Sequence, residues 1–411
     1  MSKHNSTAEE ATILQENKIG SAFLKLLPLF ILAHFSHHLV SALLVPLMPL
    51  IRDEFSLNYT QAGWLNSAFL LAYGVSQLPG GWLSDRISPR LLVTLGISGV
   101  SLAGLMAGLA PNYMLLACSL IILGLLGGGY HPSSAPLISA SVEQGKRGRA
   151  LGLHQIGGTA SYFLAPLIAV GIASSLGWRS SFIIIAIPII VLGIVLYVVL
   201  GRWGFTQHSV SNRKSTVQKD TSEEIPGHKR RLISFITLSV VGKDLLVGVI
   251  SFIPLFLVDH FGIDEVRAGG LLFIVYLGGL WAGPLGGYLS DRLGKIRVMV
   301  VGSLLAGPFI YLLNLASFGW SIYLVMTLVG MSMYLLMPTS EAYIISHTPE
   351  HRRSTILGIY YFGSRGGPGV VAPILGYMID RLGFEHTFTI AGAIIIMVTL
   401  VCSIFLRGSR D

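Results

Sequence analysis

His34, His37 and His38 stand at i, i+3 and i+4, a spacing that puts three imidazoles on one face of a helix. They sit inside an apolar run, as do His131, His154, the adjacent pair Lys243 and Asp244, Glu341 and Arg365. A charge at mid-bilayer costs about 2.5–3.5 kcal/mol on insertion scales, so ionisable groups in such runs are functional candidates by default. Imidazoles change charge near neutral pH and can relay protons, carboxylates can exchange them, and Lys and Arg can hold an anion. With the histidines neutral, Lys243 and Arg365 balance Asp244 and Glu341, and protonation of a histidine would make the set positive. The plainer reading is a set of static interhelical pairs, Asp244 with Lys243 or Arg365, with His34 and His154 as hydrogen-bonded packing residues.

The elements that must hold these groups are membrane helices. Of 411 residues, 52% are hydrophobic and only 12% charged, more apolar than a soluble domain of this size needs to be. A span needs ~20 apolar residues to cross ~30 Å of hydrocarbon, and a helix satisfies its own backbone there. Twelve such windows occur, near 23–51, 61–83, 91–110, 113–138, 149–175, 180–200, 233–258, 268–289, 298–317, 320–343, 354–379 and 384–406. The stretch 201–231 is the one long polar segment and reads as a linker between an N-terminal bundle, 23–200, and a C-terminal bundle, 232–406. Residues 1–22 and 407–411 are tails.

With the amino terminus inside, four basic residues fall outside, Arg52, Arg179, Arg267 and Arg381, and two lie within spans, Lys243 and Arg365. The other 22 of the 28 Lys and Arg lie on the cytoplasmic side, a strong positive-inside bias. That scatter over short loops explains the net charge of +8 better than a nucleic-acid surface would. Lys229, Arg230 and Arg231 form a basic cluster before the seventh span, where anionic head groups would attract it. The first twenty residues, with Glu9, Glu10 and Glu16, lack the features of a secretory signal, so both termini are expected in the cytoplasm of a bacterial cell, the chain lying in its inner membrane. Cys118 and Cys402 lie in apolar runs and offer neither a disulfide framework nor a CxxC site.

The segment GGWLSDRISPR (80–90) recurs as GGYLSDRLGKIR (286–297), carrying Asp85 to Asp291 and Arg86 to Arg292 at an offset of 206. The same offset joins Ala62-Gly63 to Ala268-Gly269, Pro132 to Pro338, Arg147 to Arg353, Gly152 to Gly358 and Leu176-Gly177 to Leu382-Gly383. The halves therefore read as parallel repeats of six spans, an all-α membrane protein of two pseudo-symmetric six-helix bundles. Under this offset His37 corresponds to Lys243 and His38 to Asp244, so both halves present polar pairs at one depth.

The repeated loop G-x-L-S-D-R-x-x-x-R resembles the signature of the major facilitator superfamily. That resemblance implies alternating access, a central cavity lined by helices 1, 4, 7 and 10 and completed by 5 and 11, and a cytoplasmic latch. Here the latch would be Gly81, Asp85, Arg86 and Arg90 with Gly287, Asp291 and Arg292, the glycines permitting close approach and the charged groups pairing; the bland reading is that Asp85 and Arg86 only stabilise a tight turn. Every ionisable group named above falls on one of those six helices.

A narrower likeness, in AHFSHHLVSALLVPLMPLIRDEFSL, GGGYHPSSAPLISA and GLHQIGGTASYFLAPLIA, resembles the fosmidomycin-resistance branch of proton-driven efflux proteins. Where that branch would carry an acid on helix 1 this chain has His38, and where it would carry one after the His-Pro of helix 4 it has Ser133.

The expected activity is proton-coupled efflux of a small anionic or amphipathic solute by a monomer, with protons exchanged at Asp244 or Glu341 assisted by His37 or His38. Arg365, Lys243, His131, His154, Gln155 and Tyr361 are the expected substrate contacts. Uptake by proton symport of a carboxylate or sugar derivative is the alternative, and a non-transporting sensor a remoter one. A desaturase-like His-box enzyme is disfavoured because His34-x-x-His37-His38 is a single box, with His131 and His154 standing alone in the sequence. No metal and no cofactor is expected.

Overall fold

The computed structural model describes residues 27–84, 86–140, 142, 147–202, 228–348 and 350–406. Both tails, residues 203–227 of the expected linker and Asp85 of the first signature loop lie outside them, while 201–202 and 228–231 are helical, ending one helix and opening the next. The described residues form helices and no strand. In chain order these are α1 (Leu27–Phe55, broken at residues 42–43), α2 (Tyr59–Ser84), α3 (Pro89–Gly108), α4 (Tyr113–Ser139, broken at 128–129), α5 (Arg147–Leu176) and α6 (Trp178–Arg202). The second set is α7 (His228–Phe261), α8 (Glu265–Leu293), α9 (Lys295–Leu312), α10 (Trp320–Ser346), α11 (350–382) and α12 (384–406).

By length and hydropathy alone, 10 stretches qualify as spans. The difference from twelve has two causes. Helices α11 and α12 run together as one 57-residue stretch broken only at Gly383. Helix α2 is 26 residues long but dilutes its apolar residues with Gln61, Asn66, Ser67, Ser76 and Gln77.

The breaks follow the repeat. Ser56, just past α1, has φ 50° and Gly262, 206 residues on and just past α7, has φ 66°. Gly177, between α5 and α6, and Gly383, between α11 and α12, have φ 78° and 76°. Left-handed residues at helix ends cap the last carbonyls, and glycine adopts them without steric cost. Asn112 and Asp264 cap the starts of α4 and α8, accepting from Leu115 N at 3.0 Å and Arg267 N at 2.8 Å.

The two halves are bound together at one end. Arg52 at the end of α1 pairs with Asp259 near the end of α7, and the Tyr59 hydroxyl donates to the same carboxylate at 2.6 Å. The backbone N–H groups of Tyr59 and Thr60 donate to Asp380 at 3.0 and 2.8 Å. Below this polar seal α2 and α11 touch backbone to backbone. A Cβ on Gly63 would meet Ala372 and Pro373, one on Gly376 would meet Tyr59 and Thr60, and one on Gly74 would meet Gly366. Helices α5 and α8 meet through Tyr162 with Tyr276 and Phe163 with Phe273, at ring separations of 5.7 and 5.8 Å.

At the other end the halves splay. Gly148 and Gly152 of α5, Gly283 and Gly287 of α8 and Gly358 of α11 have no neighbour within 4 Å of where a Cβ would sit. Among the described residues no contact comparable to those of the seal joins α4 or α5 to α10 or α11. This splayed end carries Arg86, Arg90 and Arg292 of the repeated signature loops.

Candidate functional site: an imidazole nest facing a charged cluster

The first half brings all five of its intramembrane histidines together. The helical spacing puts His34, His37 and His38 on one face of α1, the break after Gly127 turns His131 of α4 toward them, and α5 adds His154. His34 stacks on His154 with ring centres 4.2 Å apart, and lies 4.8 Å from His38 and 5.2 Å from His131. His37 stacks on Tyr130 at 4.4 Å. Glycines clear the room: a Cβ on Gly158 would strike the His34 ring, and one on Gly96 the Tyr130 ring.

Backbone carbonyls orient three of the rings. His34 Nδ1 donates to the His154 carbonyl at 2.8 Å, His37 Nδ1 to that of Gly96 at 2.6 Å, and His154 Nδ1 to that of Phe30 at 3.1 Å. A carbonyl only accepts, so Nδ1 carries the hydrogen and Nε2 of a neutral ring keeps a lone pair. The Tyr162 hydroxyl lies 3.2 Å from His38 Nδ1. Nε2 of His34, His37 and His131 is buried with no hydrogen-bond partner, as are the Tyr130 hydroxyl and those of Ser133 and Ser134. Buried polar atoms are normally paired, so this concentration of orphans in one place points to a ligand.

The second half presents charges at the corresponding depth. Arg365 on α11 lies within electrostatic reach of Tyr73, Tyr162, Glu341 and Tyr361, and also of His34, His37, His38 and His131. Among the described residues it forms no ion pair within 4 Å of a carboxylate. Glu341 on α10 is half-buried and within electrostatic reach of Tyr361 and Arg365. Lys243 borders a void of about 10 Å³, room for roughly one water, beside Ser239 and Ser340, whose hydroxyls bond at 2.6 Å.

Asp244 lies apart from this group. It is buried against the α11 backbone, where a Cβ on Gly367 would run into its carboxylate, and its Oδ1 has no partner. Lys243 is the neighbouring charge that acts on it. Gln155, one position from His154, is exposed and lies seven residues before Tyr162, on the same face of α5. Residues 366–369 stay helical within α11, and Gly366, Gly367 and Gly369 permit the approach of Gly74 on α2, Asp244 on α7 and Leu71 on α2.

Of the latch residues, Arg86 lies over the Trp82 ring at 4.0 Å, Arg90 over Tyr197 at 3.5 Å and Arg292 over Tyr288 at 5.0 Å, each within its own half. Asp291 is exposed, and nothing lies within 4 Å of where a Cβ on Gly287 would sit, so this glycine serves no close helix approach here. Gly81 lies in the last turn of α2. Sequence reasoning passed over Tyr73, Tyr130 and Tyr162, since a tyrosine in an apolar helix carries no signal of its own; Tyr130 is flagged only by standing next to His131.

A helical bundle with a polar centre, sealed at one end and open at the other, is the architecture of a solute carrier, and the sequence comparison gives the same class. The family model of the Major Facilitator Superfamily matches residues 30–247 and 232–411, and the chain belongs to that family. It is an integral membrane protein and a secondary transporter of small solutes, not an enzyme.

Among curated relatives, the fosmidomycin resistance protein of Escherichia coli (strain K12) is 24% identical over 392 residues, covering 92% of each chain. A probable sulfoacetate transporter of Cupriavidus necator is 27% identical over 382 residues, covering 84% of this chain and 85% of its own. Among solved structures, a POT family transporter in complex with a thioalcohol-conjugated peptide superposes with TM-score 0.77 at 16% identity, covering 92% of this chain and 95% of its own, a likeness of fold.

Proposed function

We propose that this chain exports a small organic anion in exchange for protons, across a bacterial inner membrane, with both termini in the cytoplasm. The observation that carries this reading is Arg365: a guanidinium in mid-membrane, surrounded by tyrosines, with no carboxylate at pairing distance among the described residues. A buried positive charge without a counter-ion is costly, and an anionic solute entering from the open end would lower that cost. Glu341, within electrostatic reach of Tyr361, Arg365 and Lys243, is the proton site that this arrangement favours. Its protonation would change the field at Arg365 and so couple proton entry to release of the anion. Asp244, set against Gly367, acts instead on the packing of α7 with α11. Export is preferred to uptake on the likeness to the fosmidomycin resistance protein, and an anionic cargo also fits the sulfoacetate relative.

The test is flux in liposomes with an imposed pH gradient and a panel of carboxylates, sulfonates and phosphonates. Glu341→Gln should abolish gradient-driven accumulation while retaining exchange of solute for solute. If Glu341→Gln and Asp244→Asn both accumulate solute normally under the gradient, neither acid is the proton site and the coupling scheme fails.

A further inference from the structure

We infer that His34, His38 and His131 form a binding site for one divalent transition-metal ion, on the N-terminal half and separate from the anion-binding role given to Arg365. Their ligating nitrogens all lie within 4.8 Å of one another. Nitrogens bound tetrahedrally to one ion at about 2.1 Å sit about 3.4 Å apart, so ring movements of roughly an ångström close the site.

Three features set this trio apart from packing histidines. Nε2 of His34 and of His131 are enclosed and unpartnered, an unusual state for two nitrogens in one place. The His34 ring is fixed by its Nδ1–H bond to the His154 carbonyl at 2.8 Å, the outer contact that metal-bound histidines commonly make, which leaves Nε2 as the nitrogen free to ligate. His38 is held at Nδ1 by Tyr162, and His154 lies stacked on the far side of His34, bracing it. An all-imidazole set without carboxylate or thiolate suits zinc, copper, nickel or ferrous iron over magnesium or calcium. Three protein ligands also leave coordination positions open for water or an oxygen donor. The Arg365 guanidinium, within electrostatic reach of all three rings, opposes a dication and weakens the site.

A single histidine box looks insufficient in the sequence because the partner that completes it lies 93 residues from His38, on another helix. Helix packing supplies what linear spacing lacks.

The experiment uses the full chain purified in detergent without an oligohistidine tag. Titration with cobalt chloride should show one saturable equivalent with the visible absorption of a nitrogen-ligated ion, displaced by zinc chloride. His34→Ala and His131→Ala should each lose this signal, and His386→Ala, at an exposed histidine elsewhere, should keep it. Should the variants fold poorly, X-ray absorption of the zinc-loaded unmodified chain reads the ligands directly, with scattering from three imidazoles expected. The inference is overturned if the unmodified chain binds no equivalent of cobalt, if binding persists without His34 and His131, or if the zinc shell contains no imidazole.

Discussion

The two halves of this transporter descend from one pattern and carry different chemistry at the same depth. The repeat places His37 opposite Lys243 and His38 opposite Asp244, and the left-handed residues Ser56 and Gly262, Gly177 and Gly383 mark the same helix ends in both halves. In the first half the polar residues are imidazole rings, with His34 stacked on His154 and His37 on Tyr130 at 4.2 and 4.4 Å and both oriented by backbone carbonyls. In the second they are charged side chains dispersed over α7, α10 and α11, with Arg365 projecting toward the rings. A duplicated fold conserves its turns because the backbone demands them, whereas the residues around the cavity are free to specialise.

That contrast predicts unequal sensitivity. Arg365→Ala removes charge-assisted contacts worth about 1.5–3 kcal/mol, so anion flux in liposomes should fall roughly tenfold to a hundredfold. Cobalt binding at the histidines should persist in that variant, and loss of both together would mean that the halves act as one site.

A comparably large effect on stability is expected at Gly367. An added methyl would be driven into the Asp244 carboxylate, and overpacking of this kind costs about 1–3 kcal/mol. Gly367→Ala should lower the unfolding temperature, and Asp244→Ser should restore part of the loss in the double variant, the coupling expected of residues in contact. Additive losses would show that Asp244 is not lodged against α11.

Much of the fold is legible in the sequence because long apolar runs admit one spanning structure and the repeat fixes their pairing. Helix α2 shows the limit of hydropathy alone: Gln61, Asn66 and Ser67 depress its average, although the bundle buries Asn66 and Ser67. The site is legible in its residue types and less so in its grouping. Five histidines can be picked from the sequence, but their convergence depends on how α1, α4 and α5 pack and on Gly96 and Gly158 clearing space, which no spacing rule encodes. Lys243 and Asp244 show the reverse problem. Adjacent residues on a helix point about 100° apart, so one borders the void beside Ser340 while the other turns toward Gly367.

A smaller effect should follow Tyr162→Phe, which removes the hydroxyl 3.2 Å from His38 Nδ1. The loss of one neutral hydrogen bond is worth about 0.5–1.5 kcal/mol, and it should appear as a several-fold weaker cobalt affinity with the stoichiometry unchanged. An unchanged affinity would assign Tyr162 to the contact with Tyr276 alone.

The smallest effect belongs to the seal, where the halves meet through charge. Asp259 accepts from both Arg52 and Tyr59, and Asn in its place would retain a hydrogen bond while losing the ion pair. The partners are 14% and 30% exposed, and pairs of this kind contribute about 0.2–1 kcal/mol, so solvent screening keeps the effect small. That energy acts only when this end is closed, since opening must separate α1 from α7. Asp259→Asn should therefore shift the balance toward the opposite-facing state by a few-fold at most, read as a longer-distance population between spin labels placed across the seal. An unchanged distribution would mean that the glycine contacts of α2 with α11 hold the seal without help from charge, and that the two halves are joined by shape alone.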